Sequence, residues 1–209
     1  VSTTLHALFS MRDGVTYTLQ LPVIESNQMI VFGLQDVPTF DNLQAESSPG
    51  RVGGLIVTAD QSLSGVVMEH FTTEDPATVL QSTRGFTQRD FDTKLYAPVI
   101  KHNRYGRFTG IQVQNVTNNP ISVTVTYRGT AGACIGQTMV DFQADILPYK
   151  SHTFVQYEDR TNLAGDCTAA VTIEATGEIV AIVNESYRSD SIPDTGQVAV
   201  TSSAIPDHL

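Results

Sequence analysis

The chain has 209 residues, a formal net charge of −10 and a pI near 4.7. This acidic balance argues against a nucleic-acid partner, because binding to a phosphate backbone depends on Lys and Arg displacing counterions. All apolar runs are shorter than the ~18 to 20 residues that cross a bilayer, so we expect no membrane insertion. Thr and Val number 25 and 22, and only 16 % of residues are charged, a composition that favours β-strands.

The first half of the chain predicts a series of short strands. In VSTTLHALFSM, at residues 1–11, Leu5, Ala7 and Phe9 alternate with other residues, as in a strand with one apolar face. We predict that residues 1–93 form one truncated β-sandwich unit that begins with this N-terminal strand. The further strand-like segments are TYTLQLPVIES, MIVFGLQDV, RVGGLIVTAD, SGVVMEHFT and TVLQSTRGF.

The second half, residues 94–209, predicts a complete sandwich of about eight strands. Apolar and polar residues alternate strictly over 121–127 in ISVTVTYRG, which is typical of a half-buried strand. Turn signals recur every ~8 to 12 residues without a helical period, so a two-sheet sandwich with an immunoglobulin-like or jelly-roll-like strand order is expected. A tight turn is predicted at 176–177. The other predicted strands are KLYAPVIKH, RFTGIQVQNV, MVDFQADI, HTFVQYED, TAAVTIEA, EIVAIVNESY and GQVAVTSSAI.

Two pairs of similar segments indicate an internal repeat with unequal copies. QLPVIESN at 20–27 matches YAPVIKHN at 96–103 with an offset of 76, whereas 53–71 matches 169–187 with an offset of 116. The difference of 40 residues corresponds to three middle strands that the first copy lacks. A sandwich without these strands should leave part of its inner face open beside an unpaired strand edge.

An incomplete sandwich of this kind invites another strand to complete it. FGLQDV at 32–37 aligns with TGIQVQNV at 109–116, which indicates that both copies keep their second strand. The candidate donor is the N-terminal strand with Leu5, Ala7 and Phe9, or a neighbouring subunit's second domain. The N-terminal strand either folds back within its own chain or pairs with the next molecule, and the latter would produce a homopolymer.

The two cysteines, Cys134 and Cys167, lie next to predicted strand ends, where a disulfide would suit them. For a loop of this length the chain-entropy model gives a stabilisation of roughly 3 to 4 kcal/mol. The alternative is a pair of free buried thiols. A disulfide, a total of only three Lys and abundant Thr favour an extracellular or cell-surface location. The sequence opens at Val1 without a leader, as a processed mature chain would, and a trimmed chain would look the same.

The sequence contains no recognisable catalytic motif. Its five His show no metal-type spacing, and GxSxG, GxGxxG and P-loop patterns do not occur. Glu69 and Glu185 align between the two copies and are expected to be hydrogen-bonded carboxylates at strand ends rather than an acid–base pair. We therefore predict no enzymatic activity, no cofactor and no metal ligand.

Two triplets match the N-glycosylation pattern, at Asn115 and at Asn184, although such triplets also arise by chance in a Thr-rich chain. Asn115 starts a predicted turn and is expected to be the more exposed of the two. Binding of surface glycans would need aromatic platforms, and the chain has no Trp. The tyrosines considered for that role, which more often fill rims and cores, are Tyr96, Tyr127, Tyr149 and Tyr157.

Four phrases of the second half, APVIKHN, TGIQVQN, VTVTY and IVAIVNE, resemble a β-sandwich repeat found in tandem in secreted and cell-surface proteins of bacteria. The resemblance covers about residues 94–205, with a degraded copy before it. It implies a non-catalytic module of a cell surface or a filament. The first copy departs from the pattern because it lacks the middle strands.

These observations favour a structural subunit of an extracellular filament, sheath or surface assembly, whose copies polymerise through β-strand complementation. The alternative is a cell-surface adhesin or carbohydrate-binding module. An enzyme is the least favoured class, because no nucleophile, base and orienting group can be assembled from the sequence.

Overall fold

The chain folds almost entirely into antiparallel β-strands. Within the residues that the computed structural model describes, the only other regular elements are two single-turn 3₁₀ helices, which confirms the all-β prediction. The described residues are 2–11, 14–38, 53–71, 79–156, 162–187 and 200–208. Two compact units are formed, one by residues 1–64 with Tyr149–Ser151 and the other by residues 65–148 with 152–209.

The first unit contains a three-stranded sheet with the N-terminal strand at its centre. Strand β1 (Leu5–Met11) pairs along one edge with β2 (Thr16–Gln20) and along the other with β3 (Gly53–Ala59). The alternating apolar residues of β1 all face one core, as the sequence period requires. They are Leu5, Ala7, Phe9 and Met11, each at most 7 % exposed.

The N-terminal segment forms the central strand β1 of its own unit in the single chain. Because both of its edges are paired, the candidate donor residues Leu5, Ala7 and Phe9 are built into their own unit. This is the alternative in which the segment folds back within its own chain. The same alternation would mark a donor strand or a central strand, so the sequence did not separate the two.

The strand predicted over MIVFGLQDV is absent from the structure. Residues 28–33 have no regular secondary structure, and a 3₁₀ turn follows at Leu34–Asp36. The Asp36 carboxylate accepts a hydrogen bond from the Gly33 N–H at 2.7 Å, and the Asp36 N–H donates to the Gly33 carbonyl at 3.0 Å. These local bonds offer the backbone an alternative to a strand ladder, and here they prevail.

Among its described residues, the second unit holds ten strands. Two of them, β4 and β5, form a separate hairpin, and the other eight form one curled, sandwich-like sheet around a single core. The strands are β4 (Val66–Phe71), β5 (Val79–Arg84), β6 (Asp92–His102), β7 (Arg107–Asn115), β8 (Ile121–Gly132), β9 (Thr138–Ile146), β10 (Ser151–Val155), β11 (Cys167–Tyr187), β12 (Val200–Ser203) and β13 (Ile205–Pro206).

Strand β11 organises the large sheet. Its first half lies between β6 and β8, and its second half lies between β7 and β12. The turn predicted at 176–177 is wrong, because β11 continues through it with a register shift between Glu174 and Ile179. A Cβ on Gly177 would lie 2.8 Å from the Ile121 side chain, so a glycine at this irregularity allows β8 to approach closely.

The core of the second unit follows the predicted alternation. On β8, residues Ile121, Val123, Val125 and Tyr127 are at most 3 % exposed, whereas the intervening Ser and Thr side chains are partly exposed. Most of the rest of this core cluster comes from both halves of β11, from β6 and β7, and from β10. These residues include Leu95, Ala97, Ile111, Val113, Phe154, Ala169, Val171, Ile173, Ile179, Ala181 and Val183.

The boundary between the units differs from the expected division at residues 93 and 94. The structure separates the units after residue 64 and groups the β4–β5 hairpin with the large sheet. The first sequence copy is thus shared between two units. Residues 39–52, which include most of the polar linker, and Tyr157 lie outside the described residues.

The aligned segments of the two copies agree in local structure. Asn27 and Asn103 both adopt a left-handed backbone, with φ of 65° and 51°. Val23 and Val99, four residues earlier in each copy, are both exposed, at 57 % and 47 %. The other aligned pair differs: 169–187 lies in the single strand β11, whereas 53–71 is divided between β3 and β4.

The C-terminal residues are held against the start of β6. Strand β13 pairs with β6, and the Tyr96 hydroxyl donates to the Asp207 carboxylate at 2.8 Å. His208 Nδ1 lies 2.7 Å from an Asp92 carboxylate oxygen, and this contact raises the pKa of His208. Burial alone would raise the pKa of Asp92, but hydrogen bonds from His208 and from backbone N–H groups hold it below its ordinary value.

Candidate functional site

Cys134 and Cys167 form a disulfide, as predicted from their positions. The bond joins the β8–β9 connection to the first residue of β11 with a Cα–Cα distance of 5.4 Å, and both residues are fully buried. A Cβ on Gly129 would lie 1.8 Å from the Cys134 carbonyl oxygen, so only glycine fits beside this connection. Both cysteines are buried, and a buried disulfide is unreactive. The bond therefore has a structural role.

Asn115 is fully buried, which corrects the expectation that it is the more exposed of the two glycosylation candidates. Its Nδ2 donates to the carbonyls of Asn119, Ile146 and Leu147 at 2.7 to 3.1 Å. Its Oδ1 accepts from the N–H and the hydroxyl of Thr117, each at 2.8 Å. The side chain organises the β7–β8 turn, and a glycan on it would be incompatible with this fold.

Asn184 lies in β11, between Gly110 of β7 and Thr201 of β12. Its side chain is partly exposed. Glycosylation at this position stays a prediction. Ser186, which completes this triplet, is exposed.

Glu185 belongs to a partly buried ion-pair group. Lys101 Nζ lies 2.8 Å from one carboxylate oxygen, and Arg107 bonds the other. Burial alone would raise the pKa of Glu185, but the hydrogen bonds from Lys101 and Arg107 outweigh it and hold the pKa below its ordinary value. A carboxylate kept ionised by two cations suits a structural role better than proton transfer.

No group of three or more His, Cys, Asp or Glu side chains that could hold a metal ion occurs in the part of the chain that the structure describes. Among the same residues, no helix has the length and apolar character needed to cross a membrane. The features that remain as candidates for a function are strand edges that no described strand pairs.

The first open edge belongs to β3, which pairs with β1 alone among the described residues. Leu55 lies opposite Phe9, and Val57 lies opposite Ala7, so all four share the core face of the sheet. Phe9 and Ala7 are 7 % and 2 % exposed, but Leu55 and Val57 are each 36 % exposed. The core of the first unit is therefore incompletely covered along β3.

The second open edge belongs to β4, which pairs with β5 alone among the described residues. Its first three residues, Val66, Val67 and Met68, are 68 %, 49 % and 64 % exposed. Neighbouring residues of a strand point to opposite faces, so apolar groups are exposed on both faces of the hairpin. A two-stranded hairpin is marginally stable in water without further packing.

The edge of β9 offers a contrast, because it carries protection that β3 lacks. Val140 is 47 % exposed, but the Asn162 side chain donates to its carbonyl at 2.8 Å and to the neighbouring Asp141 carboxylate at 2.7 Å. Charges and capping groups of this kind prevent a strand from adding to an edge. The sequence of β3, GGLIVTA, contains no charge and no Pro.

The sequence predicted an incomplete first copy with an open inner face and an unpaired edge, and this stays a prediction. It did not single out β3 or β4. The sequence contains part of the information needed to identify these edges, because GGLIVTA and GVVM are uncharged runs in a chain whose net charge is −10.

Comparisons with known proteins do not assign the chain to a family. No family model and no curated protein matches it. A crystal structure described as Thermotoga maritima 1070 is similar over 55 % of this chain and 94 % of that chain, with a TM-score of 0.43 and 12 % identity. A likeness at this level carries no argument about fold or function.

Proposed function

We propose that the protein is a structural subunit of an extracellular filament, sheath or surface assembly, whose copies join by β-strand addition. The observation that carries this proposal is the edge of β3, where Leu55 and Val57 face the core and yet remain 36 % exposed. Adding a strand there would cover apolar surface and satisfy backbone groups at the same time, which is how strand addition gains its affinity.

The position of β1 changes the roles that the sequence suggested. The N-terminal strand completes its own unit, so the first unit acts as an acceptor through β3 rather than as a donor through β1. Donor and acceptor surfaces that differ make a head-to-tail contact, and such contacts propagate into open chains. The partner is another copy of the same chain.

An extracellular location accords with the chemistry of the chain. A buried disulfide forms and persists in oxidising compartments. The net charge of −10 keeps separate copies soluble, and it confines association to uncharged surfaces such as β3.

The test places a charge on the open edge. Val57→Lys introduces an ammonium group into β3, whereas Val140→Lys makes the same change in β9, where the edge is already capped. Polymer formation is followed by electron microscopy and light scattering, and circular dichroism checks folding. We expect polymers from the unmodified chain and from Val140→Lys, and few or none from Val57→Lys. Equal polymerisation of the unmodified chain and both variants would contradict the role of β3. A purified chain that never assembles would contradict the whole proposal.

Surface glycan binding is a second candidate, because one tyrosine is well placed for it. Tyr105 is 75 % exposed and is held by a left-handed backbone with φ of 55°. The Arg104 guanidinium lies 4.5 Å from its ring centroid and covers one face. Glycan-array binding by a monomeric preparation, lost in Tyr105→Ala, would favour this candidate over the first.

A further inference from the structure

We propose that the outer face of the three-stranded sheet in the first unit binds a neutral saccharide, with Tyr149 at the side of the site. A cavity of about 440 Å³ lies over this face, on the side away from the core of the unit. Sites for small molecules have volumes of ~300 to 1,000 Å³, so the cavity is large enough for such a ligand. This inference adds a ligand site to the proposed function and does not depend on strand addition.

One row of side chains on the floor of the cavity can form hydrogen bonds. His6 of the central strand β1 lies opposite Gln20 of β2 and Thr58 of β3, and all three line the cavity. Each of these side chains is exposed. The Gln20 amide and the Thr58 hydroxyl both donate and accept hydrogen bonds. This row can therefore bind the hydroxyl groups of a ligand.

The neighbouring row on the same face is mainly apolar. Two residues further along β1, Leu8 lies opposite Thr18 of β2 and Ile56 of β3, and these residues also line the cavity. The two rows are about 7 Å apart, because a strand rises ~3.4 Å per residue and alternate residues share a face. A ligand that matches both rows presents hydroxyl groups and apolar C–H surface close together, as a sugar ring does.

Tyr149 supplies an aromatic ring at the side of the cavity. It belongs to the segment Tyr149–Ser151, which the structure groups with the first unit. Lys150 anchors this segment, because its Nζ lies 3.1 to 3.3 Å from three carbonyl oxygens within residues 11–15. Tyr149 adopts a left-handed backbone with φ of 61°, and strain of this kind at a bulky residue is concentrated at functional sites. Its ring offers a flat apolar face and a polar hydroxyl, and both match a sugar ring.

The charges near the cavity favour a neutral ligand. No Asp, Glu, Lys or Arg is among the described residues that line it. A charged ligand would therefore lose its hydration there without gaining a carboxylate, ammonium or guanidinium partner. The net charge of −10 on the whole chain further opposes an anionic ligand.

The position of the cavity argues against a peptide strand as its occupant. A peptide strand adds to the open edge of a sheet through main-chain hydrogen bonds. The cavity instead lies over β1, and both edges of this strand are paired. Recognition here depends on side chains, and these are the amide, hydroxyl and phenol groups that bind neutral sugars.

The test screens the labelled chain on an array of neutral and anionic glycans and then titrates the strongest neutral glycan by calorimetry. Tyr149→Ala removes the ring, Tyr149→Phe keeps the ring, and Gln20→Ala removes an exposed amide from the polar row. Tyr105→Ala is the matched control, because it removes a 75 % exposed tyrosine on a left-handed backbone that does not line the cavity. Circular dichroism checks the folding of each variant.

We expect Tyr149→Ala to weaken binding of the neutral glycan by about tenfold or more, through the loss of the ring contact. Tyr149→Phe should weaken it by less than about threefold, and Gln20→Ala by about fivefold through the loss of a hydrogen bond. Tyr105→Ala should bind as the unmodified chain does. Because Gln20 is exposed, Gln20→Ala decides the question if Tyr149→Ala does not fold.

Three results would overturn the inference. They are an array on which no neutral glycan binds, a preference for anionic glycans, and unchanged affinity in both Gln20→Ala and Tyr149→Ala. Binding that is lost in Tyr105→Ala and kept in Tyr149→Ala would also overturn it and would support the second candidate function. Polymer formation is measured separately by electron microscopy, so the failure of this inference leaves the filament proposal standing.

Discussion

Replacing Asn115 by alanine should strongly destabilise the second unit. The substitution removes the donor to the carbonyls of Ile146 and Leu147 and the acceptor for the Thr117 N–H. The carbonyl of Asn119 keeps a second partner, the Thr117 hydroxyl at 3.0 Å. A buried polar group left without a partner costs about 1 to 3 kcal/mol, so two or three such groups give a loss of roughly 3 to 5 kcal/mol.

Urea unfolding, followed by circular dichroism, measures this loss. With a slope of about 1 to 3 kcal/mol/M, the expected loss lowers the midpoint by roughly 1 to 5 M. Asn118→Ala is the matched control, because Asn118 is exposed in the same turn and its side chain accepts a hydrogen bond from the neighbouring Asn119 side chain. A midpoint for Asn115→Ala within error of the Asn118→Ala value would refute the account of this turn.

Three further predictions concern stability. Reducing the buried disulfide should lower the free energy of unfolding by roughly 3 to 4 kcal/mol, measured by urea titration with and without a reductant; an unchanged midpoint would contradict its role as a staple. Val183→Ala should cost about 1.5 to 3 kcal/mol in the same assay and the aligned Val67→Ala less than about 1 kcal/mol, so equal losses would contradict the different coverage of β11 and β4. The contact between His208 and Asp92 should stabilise the C-terminal residues most between pH 3.8 and pH 6.5, which are the ordinary pKa values of Asp92 and His208. Because the pKa of His208 is raised, its contribution is fully present below 6.5 and is lost as pH rises through the folded value; because that of Asp92 is lowered, its contribution is lost as pH falls through the folded value. Hydrogen exchange of the Ile205 and Asp207 amides against pH, compared between the unmodified chain and His208→Gln, tests this, and identical profiles would contradict it.

The sequence predicted the second unit well where side chains alternate strictly. ISVTVTYRG gave β8 with its buried face correct, because a period of two has one physical solution when one face is covered. The disulfide was also predictable, since both cysteines lie beside strand ends.

Predictions failed where local and tertiary forces compete. Thr176 and Gly177 resembled a turn, but β11 runs through them because β6, β7 and β8 pair with the strand on either side of the irregularity. Asn115 resembled an exposed turn residue, but its amide fills the inside of that turn. In both cases the residue type was compatible with two structures, and only long-range partners selected one.

The sequence by itself determined the all-β class and the faces of the strictly alternating strands, because these follow from the side-chain period. Only the tertiary structure decided that the N-terminal strand is central in its own unit and that the apolar strands β3 and β4 each keep one edge that no described strand pairs. Which strand lies beside which depends on contacts between residues far apart in the chain, and the local pattern of a strand is the same whether its edges are paired or free.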